Sequence, residues 1–459
     1  MSLENFVLNQ LQELVLSGKT RNEKWRRKQL YALSNLLENH QKEILNTLNL
    51  DLGKPATEAF FEIIAVKQEI KLAQKNLSHW MKTKQINVPV SLKPGKAFIQ
   101  PDPLGCILII GPWNYPFSLT IQPLVAALAA GNTAVLKPSE HAPNVSKLIK
   151  KLIERYFQPN IVKVIEGDGN IAADLITKQF DHVFFTGGES IGKKVMEGAA
   201  KNLIPITLEL GGKSPALVID GANLEVTAKR IVWGKSLNAG QTCIAPDHLL
   251  VKHELFDSLI YNLKKSINDF YGNQPLNSKH LASIINQVQF NRLNNLLKEA
   301  KDNDQVIFGG DCNVSEKRIS PTLIKIENRD DPLMKEELFG PLLPILCIKN
   351  LNEAISDLRS LPKPLALYLF GGGQREQEQI LSMTSSGGVC FNDVVLQAGL
   401  PELPFGGVGA SGMGKYHGKA GFDNFTHYKS ILKRPFWLDL NFRYPPYKLD
   451  LSLLKKLVS

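Results

Sequence analysis

The sequence predicts an α/β fold built on doubly wound parallel sheets, and three observations predict it. Apolar runs of strand length at 104–110, 133–136, 161–165, 182–185 and 206–210 alternate with helix-length segments at 117–130, 144–157, 170–178 and 190–200. The strand-length runs are apolar at consecutive positions, as strands buried on both faces of a parallel sheet must be. Gly131, Pro143, Gly167 and the pair Gly187-Gly188 punctuate the boundaries between them.

The elements follow in order. The first eighty residues read as helices: Val7, Leu11, Leu14 and Val15 recur at helical spacing, then Trp25, Leu33, Leu36, Leu37, Ile44 and Leu48. Asp51-Leu52-Gly53-Lys54-Pro55 breaks the run before a third helical stretch with Phe60, Ile63, Ile64 and Val66 on its apolar face. Ile86 to Val90 and Ala97 to Ile99 suggest a hairpin protruding from the main body. The alternating unit from 104 to 210 is a nucleotide-binding architecture of the doubly wound kind. A second α/β unit begins at Pro215 to Ile219, continues through a helix from Leu224 to Leu237 and the strand His248 to Val251, and includes strands at Leu342 to Ile348 and Leu365 to Phe370.

Composition narrows the function classes. The chain has 459 residues, of which 43% are hydrophobic and 21% charged, values ordinary for a soluble globular protein. No run approaches the ~18 uninterrupted apolar residues that cross a bilayer, and residues 1–17 lack the basic start of an export signal. A cytoplasmic enzyme is the default expectation. The five cysteines, at 106, 243, 312, 347 and 390, are scattered and lack metal-ligand spacing, so no metal is expected. The net charge of +10 is spread among acids without a basic, aromatic-studded face, which argues against nucleic acid as a partner.

Several residues carry possible chemistry. Cys243 ends Asn238-Ala239-Gly240-Gln241-Thr242-Cys243, a polar, small-residue loop after a helix, where a core cysteine would have apolar neighbours; a thiolate is the best side-chain nucleophile near neutral pH. Glu209, between two leucines and before Gly211-Gly212, is partly buried by its neighbours, and burial raises a carboxyl pKa towards the range of a general base. Asn114 lies in Pro112-Trp113-Asn114-Tyr115-Pro116, the turn after the first parallel strand, on the edge where such sheets bind ligands; its amide suits a developing oxyanion. Lys137 and Glu140 follow the second strand on the same edge, suited to ribose hydroxyls or a 2′-phosphate. Gly187, Gly188 and Gly192 stand where a strand turns into a helix, the place for a pyrophosphate. Each has a bland alternative when taken singly: a buried thiol, a solvated acid, a tight turn.

Taken together, these segments resemble the aldehyde dehydrogenase superfamily, and the match runs through almost the whole chain. It is carried by Pro112 to Pro116, Lys137 to Glu140, Phe185 to Gly192, Leu208 to Pro215, Gly240 to Cys243, Glu336 to Pro341 and Pro404 to Gly414; the ending from Leu403 to Gly409 and on through Met413, Tyr416, His417 and Gly418 is similar to the class 3 branch, which includes fatty aldehyde dehydrogenases. The resemblance implies two doubly wound α/β domains, one for cofactor and one for catalysis, with a small protruding β-hairpin element for oligomerisation. By that likeness the dinucleotide-binding domain takes 1–80 and 101–210, the catalytic domain 211–402, the bridging element 81–100 and 403–435, and a tail 436–459. It implies Cys243 as nucleophile, Glu209 as base, and Asn114 with the Cys243 backbone amide as oxyanion hole. Trp113, Lys137, Glu140, the three glycines, Glu337 at the nicotinamide ribose and Phe339 beside the nicotinamide would bind cofactor. Gly188 stands where the family often has Ser, which leaves the phosphate to backbone amides. The implied activity is NAD(P)-dependent oxidation of medium- or long-chain aliphatic, aromatic or terpenoid aldehydes through a thioester, in a homodimer.

Glu140 disfavours a 2′-phosphate by like-charge repulsion and Lys137 partly offsets it, so NAD with some NADP use is expected. A thiol hydrolase, a non-catalytic binding protein and an acyl-thioester reductase are the rival readings; intact Lys137, Glu337 and Phe339 count against the first, and retained Cys243 and Glu209 against the others. From Lys429 to Ser459 seven basic residues face two acids among aromatics, and Leu451, Leu453, Leu454, Leu457 and Val458 close the chain. That pattern predicts reversible peripheral contact with an anionic membrane. The alternative is a tail packed on the protein or a partner subunit.

Overall fold

Cys106–Ile110 shows why the chain folds in layers: Ile107 and Ile109 pack against one set of helices, Cys106, Leu108 and Ile110 against another, and all five are buried. A strand with two apolar faces must lie between two layers. Full burial of each such side chain contributes about 1.5–3 kcal/mol. The computed structural model describes residues 3–439, 441–447, 450–452 and 455. Of the tail singled out by its charge and apolar ending, Lys448, Leu453, Leu454, Lys456, Leu457 and Val458 lie outside those residues.

Three helices open the chain: α1 (Leu3–Leu16), α2 (Glu23–Leu52) and α3 (Ala56–Trp80). Gly53 ends α2 with φ +63, a left-handed conformation that glycine adopts without strain, and turns the chain into α3. The strands β1 (Lys84–Ile86) and β2 (Lys96–Pro103) pair antiparallel as a hairpin. Then come β3 (Cys106–Ile110), α4 (Ser118–Ala130), β4 (Thr133–Lys137), α5 (Pro143–Tyr156), β5 (Val162–Val164), α6 (Gly169–Ile176), β6 (His182–Thr186), α7 (Glu189–Ala200) and β7 (Ile206–Glu209). Their parallel order is β5-β4-β3-β6-β7. The direction of winding reverses between β3 and β6, which opens a crevice at the carboxyl ends of those two strands. Leu30, Ile63, Leu124 and Ile149 from α2–α5 cover one face; Leu11, Leu175 and Val195 from α1, α6 and α7 cover the other.

The second α/β unit starts with β8 (Pro215–Val218), α8 (Leu224–Ser236) and β9 (His248–Lys252). These strands belong to a seven-stranded sheet in the order Val306–Phe308, Thr322–Ile326, Leu342–Ile348, β9, β8, Ala366–Phe370, Gly388–Phe391, parallel except for the first pair. It too is buried on both faces: Leu217 and Leu250 point to one core, Ala216, Val218, Leu249 and Val251 to the other.

Three pairings add to what periodicity shows. Gly412–Met413 adds an antiparallel strand beside β7. Thr426–Lys433 lies antiparallel along the whole of β2, so the hairpin is one side of a three-stranded sheet. Val306–Phe308 edges the larger sheet antiparallel to Thr322–Ile326. Their partners lie between 15 and 337 positions away in the chain, and no local pattern records them.

Candidate active site

The crevice between the two sheets is a cavity of about 680 Å³. Cys243, Glu209, Asn114 and Trp113 line it, as do Gly187, Gly188, Glu337 and Phe339; Lys137, Glu140 and Gly192 lie outside its walls. The turn after β3 brings Asn114 and Trp113, the turn after β6 the glycines, the end of β7 Glu209, and the loop after α8 Cys243.

The Cys243 loop is held by its own polar groups. Asn238, Ala239 and Gly240 all have positive φ (+53, +52 and +77), a costly conformation for the first two. A Cβ on Gly240 would meet the Gly340 carbonyl oxygen at 2.2 Å, so only glycine fits there. The Asn238 amide donates to the carbonyls of Asn114 (2.8 Å) and Gln241 (3.2 Å). The Gln241 amide donates to Asn238 and Ser283 carbonyls and accepts from Ile285 N–H. Tyr115 and Thr242 hydroxyls meet at 2.7 Å. The polar composition that marks this loop in the sequence is thus spent on fixing it.

Cys243 itself is half-buried. Burial, then the carboxyls of Glu337 and Glu209, push its thiol pKa well above the usual range, while the N–H groups of Cys243 and Ile244 pull the other way more weakly. The arrangement as it stands favours the thiol, not the thiolate that nucleophilic chemistry calls for; loss of water around the sulfur, and then the two nearby acids, are the reason.

Glu209 is buried, and neither carboxyl oxygen has a hydrogen-bond partner among the described residues. Burial alone raises its pKa well above the ordinary carboxyl range. An unsatisfied buried carboxyl is costly, and so points to a role in which one of those oxygens receives a partner. Asn114 is buried too, and its side-chain nitrogen donates to the Gln241 carbonyl at 3.0 Å. An amide nitrogen carries two hydrogens, so one is left for a ligand in the cavity.

Glu337 also lines the cavity and faces Gly211, where a Cβ would come within 2.1 Å of its carboxyl oxygen. Burial, and then the negative charge of Asp247, push the Glu337 pKa up to about 8. Its loop is pinned by residues that motif reading does not single out. Asp247 accepts from Leu338 N–H at 2.8 Å, and the Lys213 ammonium donates to Asp247 (2.5 Å) and to the carbonyls of Leu333 (2.8 Å) and Glu336 (2.9 Å). Phe339, at φ +50, meets Trp113 edge-to-face at 5.2 Å. Lys137 is buried and bonded to Glu140 at 2.6 Å.

A model of the aldehyde dehydrogenase family matches residues 18–431. The chain belongs to that family. It is accordingly an NAD(P)-dependent aldehyde dehydrogenase in its chemistry. It is 44% identical over 438 residues to the 4,4'-diaponeurosporen-aldehyde dehydrogenase of Staphylococcus aureus, covering 95% of each chain. It is 40% identical over 449 residues to the dimeric NADP-preferring aldehyde dehydrogenase of Rattus norvegicus, covering 97% of this chain and 98% of the other. The substrate-bound structure of Staphylococcus aureus AldH superposes with a TM-score of 0.97, at 42% identity and full coverage of both chains.

The residues of this aldehyde dehydrogenase fit a dinucleotide. Gly187 leaves no room for a Cβ, which would strike the Phe185 ring at 2.4 Å, and a Cβ on Gly192 would meet Leu210 at 2.7 Å. Among the described residues nothing lies within 4 Å of a Cβ built on Gly188, the N-cap of the twelve-residue α7. A tight glycine turn opening onto a helix N-terminus suits a pyrophosphate.

Proposed function

We propose that this aldehyde dehydrogenase converts medium- or long-chain apolar aldehydes, terpenoid ones included, to carboxylic acids through a thioester on Cys243. The observation that carries the reading is the meeting of Cys243, unsatisfied Glu209 and Asn114 in one cavity beside a glycine turn. The Cys243 thiol loses its proton to water in the cavity, and the thiolate sulfur adds to the aldehyde carbon. The negative oxygen formed accepts from the Asn114 amide and the Cys243 backbone N–H. A bound oxidised nicotinamide supplies the acceptor for the hydride that the carbon loses. Glu209 then takes a proton from the water that opens the thioester and releases the acid. Lys137 and Glu140 would hold the adenosine ribose, and Gly187, Gly188 and Gly192 the pyrophosphate. Glu337 would bind the nicotinamide ribose and Phe339 would pack beside the nicotinamide, with Trp113, edge-to-face with Phe339, contributing to the cofactor site. NAD is the main cofactor and NADP a weaker one.

Apolar substrates are favoured by the apolar side chains of Leu119, Trp233, Leu237 and Leu396 in the cavity wall, and a terpenoid aldehyde is suggested by the 4,4'-diaponeurosporen-aldehyde in the name of the Staphylococcus aureus relative. A homodimer is favoured by the name of the rat relative and by the exposed edge strand Thr426–Lys433. No helix among the described residues is long and apolar enough to cross a membrane. Exposed Phe436, Trp437, Tyr444, Tyr447 and Leu451 beside Arg434 and Arg443 support peripheral contact of a cytoplasmic enzyme with an anionic surface.

Cys243→Ala tests the centre of the reading. It should abolish both aldehyde oxidation and ester hydrolysis and leave NAD binding, read by fluorescence quenching, unchanged. Substantial NADH production by the variant would refute the thioester route.

A further inference from the structure

Lys54 follows the glycine that ends α2 and is fully buried. Its ammonium donates to Glu62 Oε1 at 2.5 Å and to the main-chain oxygen of Asn114 at 2.7 Å, and lies 3.9 Å from the Tyr115 ring centroid. The other oxygen of Glu62 accepts from the N–H groups of Phe117 (3.1 Å) and Ser118 (2.9 Å). One buried ion pair therefore grips the turn after β3 at both ends. The Asn114 carbonyl also accepts from Asn238, whose own N–H donates to Glu58 at 2.8 Å. Glu58 and Glu62 are one helical turn apart on α3, so that helix braces the loops of Asn114 and Cys243 together. Withdrawing two charges from water costs several kcal/mol per ion, and an apolar pair would fill the same space without that cost. What an apolar pair lacks is a grip on the Asn114 peptide.

We propose that Lys54, paired with Glu62, is a positioning residue that aims the Asn114 side-chain amide at the aldehyde oxygen; this rests on the reading of Asn114 as the oxyanion donor. Lys54 is not part of the cavity wall, although Glu62 and Tyr115 are, and it reaches the oxyanion donor through the Asn114 carbonyl. With that carbonyl held by Lys54 and Asn238, the peptide cannot rotate, and the side-chain amide stays at one place in the cavity. Misplacing a reacting or stabilising group by about 1 Å costs on the order of 100-fold in rate.

Lys54→Met keeps the length and removes the charge; Glu62→Gln keeps the shape and weakens the grip. Each is made alone and in an Asn114→Ala background, with hexanal and NAD as substrates and with NAD affinity and thermal midpoint as controls. Lys54→Met should lower kcat about 100-fold with NAD affinity unchanged, and Glu62→Gln about tenfold. In the Asn114→Ala background each should cost less than about threefold, because the group they position is gone. The same loss in both backgrounds, or full activity of Lys54→Met, overturns the proposal. If Lys54→Met does not fold, as read by lost NAD binding, the Glu62→Gln pair decides it by the same comparison. An Asn114→Ala variant with near wild-type kcat would instead remove the oxyanion reading beneath it.

Discussion

Replacing Glu209 by Gln sets the burial of this side chain directly against its task. The substitution keeps the volume and removes the oxygen that accepts a proton. A positioned general base contributes on the order of 10²–10⁴ in rate. Both Glu209 oxygens lack partners among the described residues, so none of these is connected to take over, and the loss belongs in the upper part of that range. About 10³-fold, or ~4 kcal/mol, is expected on thioester hydrolysis. Formation of the thioester needs no water, so stopped-flow absorbance should show a burst of about one NADH per active site and then slow turnover.

Stability supplies an internal control. The folded-state pKa of Glu209 is raised by burial. Its contribution to stability is therefore fully present below the ordinary carboxyl pKa and is lost as pH rises towards and through the folded value. Gln does not titrate, so the variant should gain thermal midpoint relative to wild type as pH rises from about 5 to 8. Equal slowing of burst and steady state would refute the assignment of Glu209 as base. A midpoint difference that ignores pH would refute the energetic reading of its burial.

Other perturbations test the remaining groups. Glu337→Gln removes an acid that raises the Cys243 thiol pKa, so iodoacetamide at pH about 9, where Glu337 of the wild type is ionised, should alkylate Cys243 faster in the variant. Mass spectrometry of the Cys243 peptide reads this, and a slower rate would refute the coupling. Glu140→Gln frees the Lys137 ammonium now bonded at 2.6 Å and removes a repulsive charge; the NADP-to-NAD ratio of kcat/KM should rise about tenfold, ~1.4 kcal/mol. An unchanged ratio would place the 2′-position elsewhere. The full chain should float with anionic liposomes at low salt and a truncation after Arg434 should not; a full chain left at the bottom of the gradient ends the membrane proposal.

The sequence by itself determined the layers of this aldehyde dehydrogenase. Strands such as Cys106–Ile110 and Pro215–Val218 are apolar at every position, and helices such as α5 carry Val145, Leu148, Ile149 and Leu152 at helical spacing. Burial on two faces or on one stripe leaves its record in adjacent residues. Cys243 and Glu209 were also legible, one from polar neighbours where a core would be apolar, the other from leucines around an acid. Only the tertiary structure decided the electrostatics of these groups. Three acids come from separate parts of the chain: Glu209 and Glu337 beside the Cys243 sulfur, and Asp247 beside Glu337. No spacing rule reports that Glu209 ends without a hydrogen bond. Lys54, in a Gly-Lys-Pro turn that reads only as a helix break, reaches Asn114 across sixty positions. Lys213 and Asp247 pin the Glu337 loop across about ninety or more. Such contacts form after the sheets have assembled, and their energies depend on dielectric and distance, quantities that periodicity does not encode.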